Sequence, residues 1–375
     1  MTISACEEQL QRIASIDGDY RLRIPSQSEH GAGGGEAALL QVIATWALRQ
    51  AVAEIETHAK NAADAQLAKL VRYLFGMGAT LICDSATALS GDVVTSKLKA
   101  NALERLATLQ GSNPFDEARG NQFQILMADH LNRSYPDYLY DKAGANGPEI
   151  RDRDEFKYIA QQIIQFVVGP VFDKSWQGLA AKYVGSMIYE LIKNTHEHAR
   201  VDLQGNKLKK SVRGLHARSF GVARDDLKKM TKDFGPLFSY FSSLKSDESY
   251  KQVTFMEFSV FDTGIGFAQT WRKKRLEELC IRDEFAAVQE CFGIGSSKTR
   301  SGSGYGLPHL SRILREMGGF IRLRTGRLSL YEDFTLKSKS DVSIELKPWI
   351  NLEAGELGMA CGSVLTILIP LRRSQ

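Results

Sequence analysis

The sequence predicts an α+β protein, with a mostly helical N-terminal domain over residues 1–150 and an α/β sandwich over residues 151–375. In the sandwich, helices are expected on one face of a mixed sheet. Strand-like runs recur in the second half: β-rich Val253 to Phe261, alternating Phe320 to Arg324, and continuously apolar Val364 to Leu371. Helical apolar periodicity fills Phe156 to Val168 and Leu179 to His198. Between the halves, Tyr135 to Asp154 is rich in Pro, Gly, Asn and Asp and poor in apolar residues after Tyr140, which is the composition of a linking loop. Strands at intervals with helices between them suit helix layers packed on a sheet.

Along the chain, Tyr20 to Pro25 alternates weakly and predicts a short strand. Gly31 to Gly35 is a glycine-rich turn. No Lys-Ser/Thr follows to make a Walker loop, so it reads as a flexible turn, with a phosphate cradle as the alternative. From Glu36 a helix is expected with Leu39, Val42, Ile43 and Trp46 on its apolar face, and a second carries Leu67, Leu70, Val71 and Leu74. Leu74 to Cys83 is the longest apolar run. It falls short of the ~20 residues that span a bilayer and reads as buried helix. Further helices are expected over Ala102 to Leu109 and Asn121 to Leu131. This half carries no motif, and sensing, dimerisation and partner binding are all open to it.

Beyond the loop, Val201 to Arg213 is a basic, polar connector that reads as solvated chain, not as a nucleic-acid patch. Asp225 to Leu244 predicts a helix with Phe234, Leu237, Phe238 and Phe241 apolar. Ile321 and Leu323 alternate with Arg322 and Arg324, the mark of a half-buried strand, and Leu328 and Leu330 repeat it. Val364 to Leu371 suits a buried central strand.

Hydrophobic residues at 43% and charged residues at 25% give an ordinary globular composition, and 375 residues leave room for two domains. A net charge of +4 is too small to argue for nucleic acid or an anionic membrane. The cysteines (Cys6, Cys83, Cys280, Cys291, Cys361) are scattered without a Cys-x-x-Cys pair, which fits a reducing compartment and neither a disulfide framework nor a zinc site. The N-terminus, MTISACEEQLQRI, lacks a basic-then-apolar signal. A cytoplasmic protein without a membrane span is the expectation.

Three stretches carry chemistry. Ser301 to Leu314 (SGSGYGLPHLSRIL) places Gly302, Gly304 and Gly306 before an apolar-periodic helix, where free N–H groups and a positive dipole end suit a phosphate. Alone, the pattern is no more specific than a flexible loop. Upstream, VTFMEFSVFDTGIGF ends a strand in Asp262, Gly264 and Gly266. Earlier still, MIYELIKNTHEHA sets Glu190 and Asn194 one helical turn apart on one face. In this order the stretches resemble the N box and the two glycine boxes of the GHKL ATP-binding superfamily. That superfamily includes DNA gyrase B, the ninety-kilodalton heat-shock chaperone, histidine kinases and mismatch-repair ATPases. The resemblance covers roughly residues 155 to 375.

The resemblance implies a role for each motif residue. Asp262 would accept a hydrogen bond from the adenine amino group, where the plainer reading is an Asx turn. Gly264 and Gly266 would let the loop pass close to base and ribose. Asn194 would ligate Mg2+, and Glu190 would orient or deprotonate the attacking water, the plainer reading being a surface glutamate. Phe267 to Ser301 would be a lid closing over the triphosphate. In it, Ser297-Lys298-Thr299 resembles a Ser-Thr-Lys turn of sensor kinases, and Lys298 or Arg300 would reach a phosphate beside Gly302, Gly304 and Gly306, the plainer reading being a solvated lid charge. The basic run Arg272 to Arg275 reads as a solvated helix face. His196 and His198 lie two apart and face away from each other, which argues against zinc. The string NTHEH resembles the N-box ending of anti-sigma-factor serine kinases.

The expected function is therefore a soluble, Mg-ATP-binding, histidine-kinase-like ATPase or protein kinase module, regulatory in role, with ATP and Mg2+ as ligands and a protein partner or substrate. A homodimer is left open. None of His30, His58 and His130 sits in a His-Glu-Leu-Arg-x-Pro context, which disfavours autophosphorylation. One alternative is a non-catalytic nucleotide switch that binds a partner. The other is a chaperone- or topoisomerase-like dimerising ATPase, against which stands the chain's end just after its last expected strand.

Overall fold

The computed structural model describes residues 2–16, 18, 20–27, 31–118, 120–143, 147–169, 174–227, 231, 235–244, 252–293, 311, 314–336, 344–349 and 356–371. The first half begins with α1 (Ile3–Ser15), capped by the Thr2 hydroxyl accepting from the Ala5 N–H, then β1 (Leu22–Arg23) and α2 (Gly35–Arg49). It continues through β2 (Glu54–Glu56), α3 (Gln66–Leu70), α4 (Leu74–Ile82), β3 (Ser85–Thr87) and α5 (Thr95–Leu109). β1, β2 and β3 pair in parallel, so helices must cross between them, and the expected helical half also carries a small sheet. α4 is buried along its whole length, as its unbroken apolar run predicts.

Next comes β4 (Gln122–Ala128), where the sequence reading expects a helix over Asn121 to Leu131. Phe123, Ile125 and Met127 pack into one layer and Leu126 and Ala128 into the other. A run this short has no periodicity that separates helix from strand, and pairing with a partner strand decides it. A two-stranded hairpin, β5 (Tyr140–Asp141) and β6 (Glu149–Ile150), leads to α6 (Arg153–Val168), which opens on a capping box between Asp152 and Glu155. α7 (Lys174–His198), β7 (Val212–Ala223), α8 (Gly235–Ser243), β8 (Gln252–Asp262), α9 (Phe267–Arg272) and α10 (Ile281–Phe292) follow. The last strands are β9 (Phe320–Gly326), β10 (Leu328–Asp333), β11 (Lys347–Pro348) and β12 (Ala360–Pro370).

The larger sheet has seven strands in the order β11-β10-β9-β12-β8-β7-β4, and every neighbouring pair is antiparallel. The expected mixed sheet is thus corrected to an antiparallel one. β4 joins it from one side of the loop at 135–154 and six strands from the other, so the sheet draws on both halves of the chain.

Helices cover both faces of this sheet, not the single face expected. On one face, Met256, Phe258, Val260, Ile321, Leu323, Leu365 and Ile367 meet α6, α7 and α10. On the other, Phe255, Phe261, Val364 and Leu368 meet α1, α2, α4, α5 and α8. The alternation of β9 is real, yet its arginines are not solvated: Arg322 and Arg324 are buried beneath α1. Glu7 on α1 accepts from Arg322 Nη2 at 3.1 Å and Arg324 Nε at 2.9 Å. Arg324 also donates to the carbonyls of Gly326, Leu328 and Gly358. Two charges leave water here only because a carboxylate arrives with the covering helix.

α2 runs between the sheet and its neighbouring helices, so Gly35 to Ala47 are buried all round, not along one stripe. In the glycine turn before it, Gly33 and Gly34 donate their N–H groups to Glu257 Oε2 at 2.8 and 3.0 Å, while Arg218 Nε holds Oε1 at 2.7 Å. The anion cradled by this turn is the protein's own carboxylate, which takes the place a phosphate would need. Among the described residues, no helix is long and apolar enough to cross a membrane.

Candidate functional site

α7 buries Val184, Met187, Ile188, Leu191, Ile192 and Thr195, the i, i+3, i+4 stripe of a helix seated on the sheet. Glu190 and Asn194 flank that stripe one turn apart. Glu190 is buried and its Oε1 pairs with Arg153 at the start of α6; the Arg153 guanidinium lies 5.2 Å over the Tyr189 ring. Glu190 Oε2 has no partner among the described residues. The half-buried Asn194 amide likewise has none among them.

At the end of the same sheet face the apolar residues give way to a polar row. Register pairs Arg213 on β7 with Asp262 on β8, Asp262 with Ser363 on β12, and Ser363 with Thr325 on β9. Directly opposed residues on neighbouring strands share a face, so these four side chains line up across the sheet. Asp262 accepts from the Gly264 N–H on Oδ1 at 2.9 Å and from the Ser363 hydroxyl on Oδ2. Burial raises the Asp262 pKa, opposed by the bonds from Ser363 and Gly264 and by the charge of Arg213. The Ser363 N–H also bonds this carboxylate, and since a carboxylate has about four acceptor sites, one is left for a donor entering from the open end.

The loop after Asp262 lies against the end of α7. A Cβ on Gly264 would fall 2.8 Å from the Ala199 Cα, so only glycine permits this approach. Gly266 takes φ +84°, and Gly264 O accepts from the Gly362 N–H at 2.7 Å. Gly362 sits in a β12 bulge at φ +57°, and a Cβ there would meet the Asp262 carbonyl oxygen at 2.0 Å.

The structure thus brings Glu190 and Asn194 together on one helix, and Asp262, Gly264 and Gly266 into a loop packed on that helix's end. Lys298, Arg300, Gly302, Gly304 and Gly306, with the closing part of the expected lid, lie outside the described residues. Of the earlier lid segment, Arg272 pairs with Glu290 of α10 at 2.6 Å in an exposed position. The sequence reading missed Arg153, Arg213, Thr325 and Ser363. Ser363 had a signal, a glycine-hydroxyl pair opening the last apolar strand; the other three join the site only through register and helix packing.

His196, next but one to Asn194, belongs to a buried polar cluster. Its Nδ1 faces the Tyr140 hydroxyl at 3.1 Å and Arg200 Nη1 at 3.4 Å, so Nδ1 is the acceptor and the ring proton sits on Nε2. Arg213 donates to Tyr140 and, with Arg200, pairs with Asp129. Burial, then Arg213 and Arg200, lower the His196 pKa from 6.5 to about 4. The unfolded chain takes up this proton below pH 6.5, the folded one only near pH 4. Stability is therefore expected to be insensitive to this ring above pH 7 and to fall as pH drops through that window. Allowing for the partly exposed ring, the loss is ~1–2 kcal/mol. Urea midpoints from pH 7 to 4 check it, since His196→Gln should fall less steeply than the parent.

A cleft of about 300 Å³ lined by Val222, Leu227, Phe241, Ser242, Leu244, Val253 and Phe255 opens at the opposite end of β7 and β8. Its lining is apolar but for the Ser242 hydroxyl, which donates to the Phe238 carbonyl, and carries no titratable group, so volume alone does not make it the site. Comparison of the chain with protein-family models, with curated proteins and with solved structures returned no match.

Proposed function

We propose that this chain is a GHKL-type Mg·ATP-binding protein whose nucleotide lies between the polar row and α7. The observation that carries the reading is the row itself. A buried carboxylate with spare acceptor capacity ends an otherwise apolar sheet face, next to a helix bearing a carboxylate and an amide that has no partner among the described residues. Asp262 fits an adenine amino group, because it offers acceptors held in place by Ser363 and Gly264. Asn194 fits a hard cation that takes its remaining ligands from phosphate and water. Bound magnesium would supply charge neutralisation at the phosphates.

The chain's own residues would do the rest. Asp262 selects the base, Gly264 lets the loop approach it, and Asn194 holds the metal in register with the helix. Glu190 Oε2 is the atom able to orient a water or a substrate hydroxyl and take its proton. Glu190→Ala is expected to keep nucleotide affinity within about twofold and lose turnover by about a hundredfold or more. Parent-like turnover in that variant would remove Glu190 from the chemistry. One observation favours a second reading, a nucleotide switch without turnover: Oε1 of Glu190 is already engaged by Arg153. Incubation with γ-labelled ATP, alone and with candidate proteins, separates free phosphate, labelled protein and unchanged ATP. Absence of any Mg·ATP binding by calorimetry would overturn the proposal.

A further inference from the structure

The bulge in β12 breaks its ladder with β9 between Ala360 and Ser363, so Cys361 and Gly362 have no opposite residue there. A buried backbone group without a ladder partner must find another. Cys361 finds both on α2. Its N–H donates to Thr45 Oγ1 at 2.9 Å, and its carbonyl accepts from Gln41 Nε2 at 3.0 Å. Gln41 also donates to the Arg324 carbonyl at 3.2 Å, and Thr45 Oγ1 donates to the Gln41 carbonyl at 2.7 Å. Gln41 and Thr45 are both buried, one turn apart on the face of α2 that meets the sheet.

The next two residues belong to the base-reading end. Gly362 donates to Gly264 O, its carbonyl accepts from Thr325 Oγ1 at 3.0 Å, and Ser363 donates to Asp262. One bulge therefore has α2 on one side and Asp262 on the other. Bulges of this kind re-aim side chains beside sites.

We infer that Gln41 and Thr45 are positioning residues for the nucleotide site, acting through the Cys361–Ser363 bulge on Asp262 and its loop. The inference rests on the nucleotide reading and extends it: the N-terminal layer becomes part of the machinery that sets nucleotide affinity. Because the effect arrives at the base, it falls equally on ATP and ADP.

The test uses the full chain, with calorimetry against a non-hydrolysable Mg·ATP analogue and Mg·ADP, and hydrogen exchange of peptides covering Gly264 and Gly362 without nucleotide. Thr45→Val keeps side-chain shape and removes the acceptor for the Cys361 N–H. It is expected to weaken both nucleotides about tenfold and to speed exchange at the bulge. Thr45→Ser restores the acceptor and should stay within about twofold of the parent in both readouts. Gln41→Met, which removes only the amide contacts, gives a second reading if Thr45→Val does not fold. A parent that binds nucleotide while Thr45→Val or Gln41→Met binds it equally well overturns the inference alone. A loss that Thr45→Ser does not rescue overturns it too. A parent that binds neither nucleotide overturns the nucleotide reading, and the inference with it.

Discussion

Asp262→Asn is expected to abolish Mg·ATP binding while leaving the fold intact. The carboxylate accepts on both oxygens, from Gly264 N–H and from the Ser363 hydroxyl. Asparagine keeps the shape and one oxygen, so Gly264 retains its acceptor, and the Ser363 hydroxyl can turn to accept from the new amide. What changes is the polarity offered to the base: an N–H meets the adenine amino group, and two donors face each other in a buried site. An unpaired polar contact of that kind discriminates by roughly 10⁴-fold where the site is built for the correct partner. The free protein should not suffer. Burial raises the Asp262 pKa, so its ionised form works against folding at neutral pH, and the neutral amide removes that term. Calorimetry should show no heat of binding, and the urea midpoint should equal or exceed the parent's. Retained affinity with an unchanged midpoint would mean that Asp262 closes an Asx turn and nothing more.

Glu7→Ala is expected to destabilise the opposite face of the sheet by ~3 kcal/mol. Glu7 is the carboxylate shared by the buried guanidiniums of Arg322 and Arg324. Removing it leaves positive charge in a site from which water is excluded. Arg324 keeps three carbonyl acceptors, which holds the loss below the upper end for a broken buried pair. Glu8→Ala is the control, because Glu8 is exposed and such substitutions stay within about 0.5 kcal/mol. Chemical denaturation of the two variants checks the difference. Equal midpoints would show that Glu7 does not stabilise the packing of α1 on the sheet.

The strongest periodic segments were legible from the apolar pattern of the sequence. Helices appear at Phe156 to Val168 and up to His198, strands at Val253 to Phe261 and Val364 to Leu371, each within a few residues of the predicted run. These are long, with a single unambiguous period, and local side-chain pattern suffices for them. The Glu190/Asn194 spacing and the Asp262-x-Gly264-x-Gly266 turn were also visible, because each is local in sequence. β4 was not, since a seven-residue segment with five apolar residues takes its state from its partner. β7 was not: its first residues, Val212 and Arg213, close the stretch that reads as polar connector, and only tertiary packing buries its Arg213, His216 and Arg218.

The sequence by itself therefore determined which segments are helix or strand where the period is long, and which residues offer a carboxylate, an amide and a permissive glycine. Only the tertiary structure decided that the sheet is antiparallel throughout and covered on both faces, that Glu257 fills the first glycine turn, and that Arg213, Asp262, Ser363 and Thr325 form one row. The reason is that register, layer order and charge burial depend on contacts between residues far apart in the chain. Glu7 lies 315 positions from Arg322 and Gln41 lies 320 from Cys361, and no local pattern records such a partner.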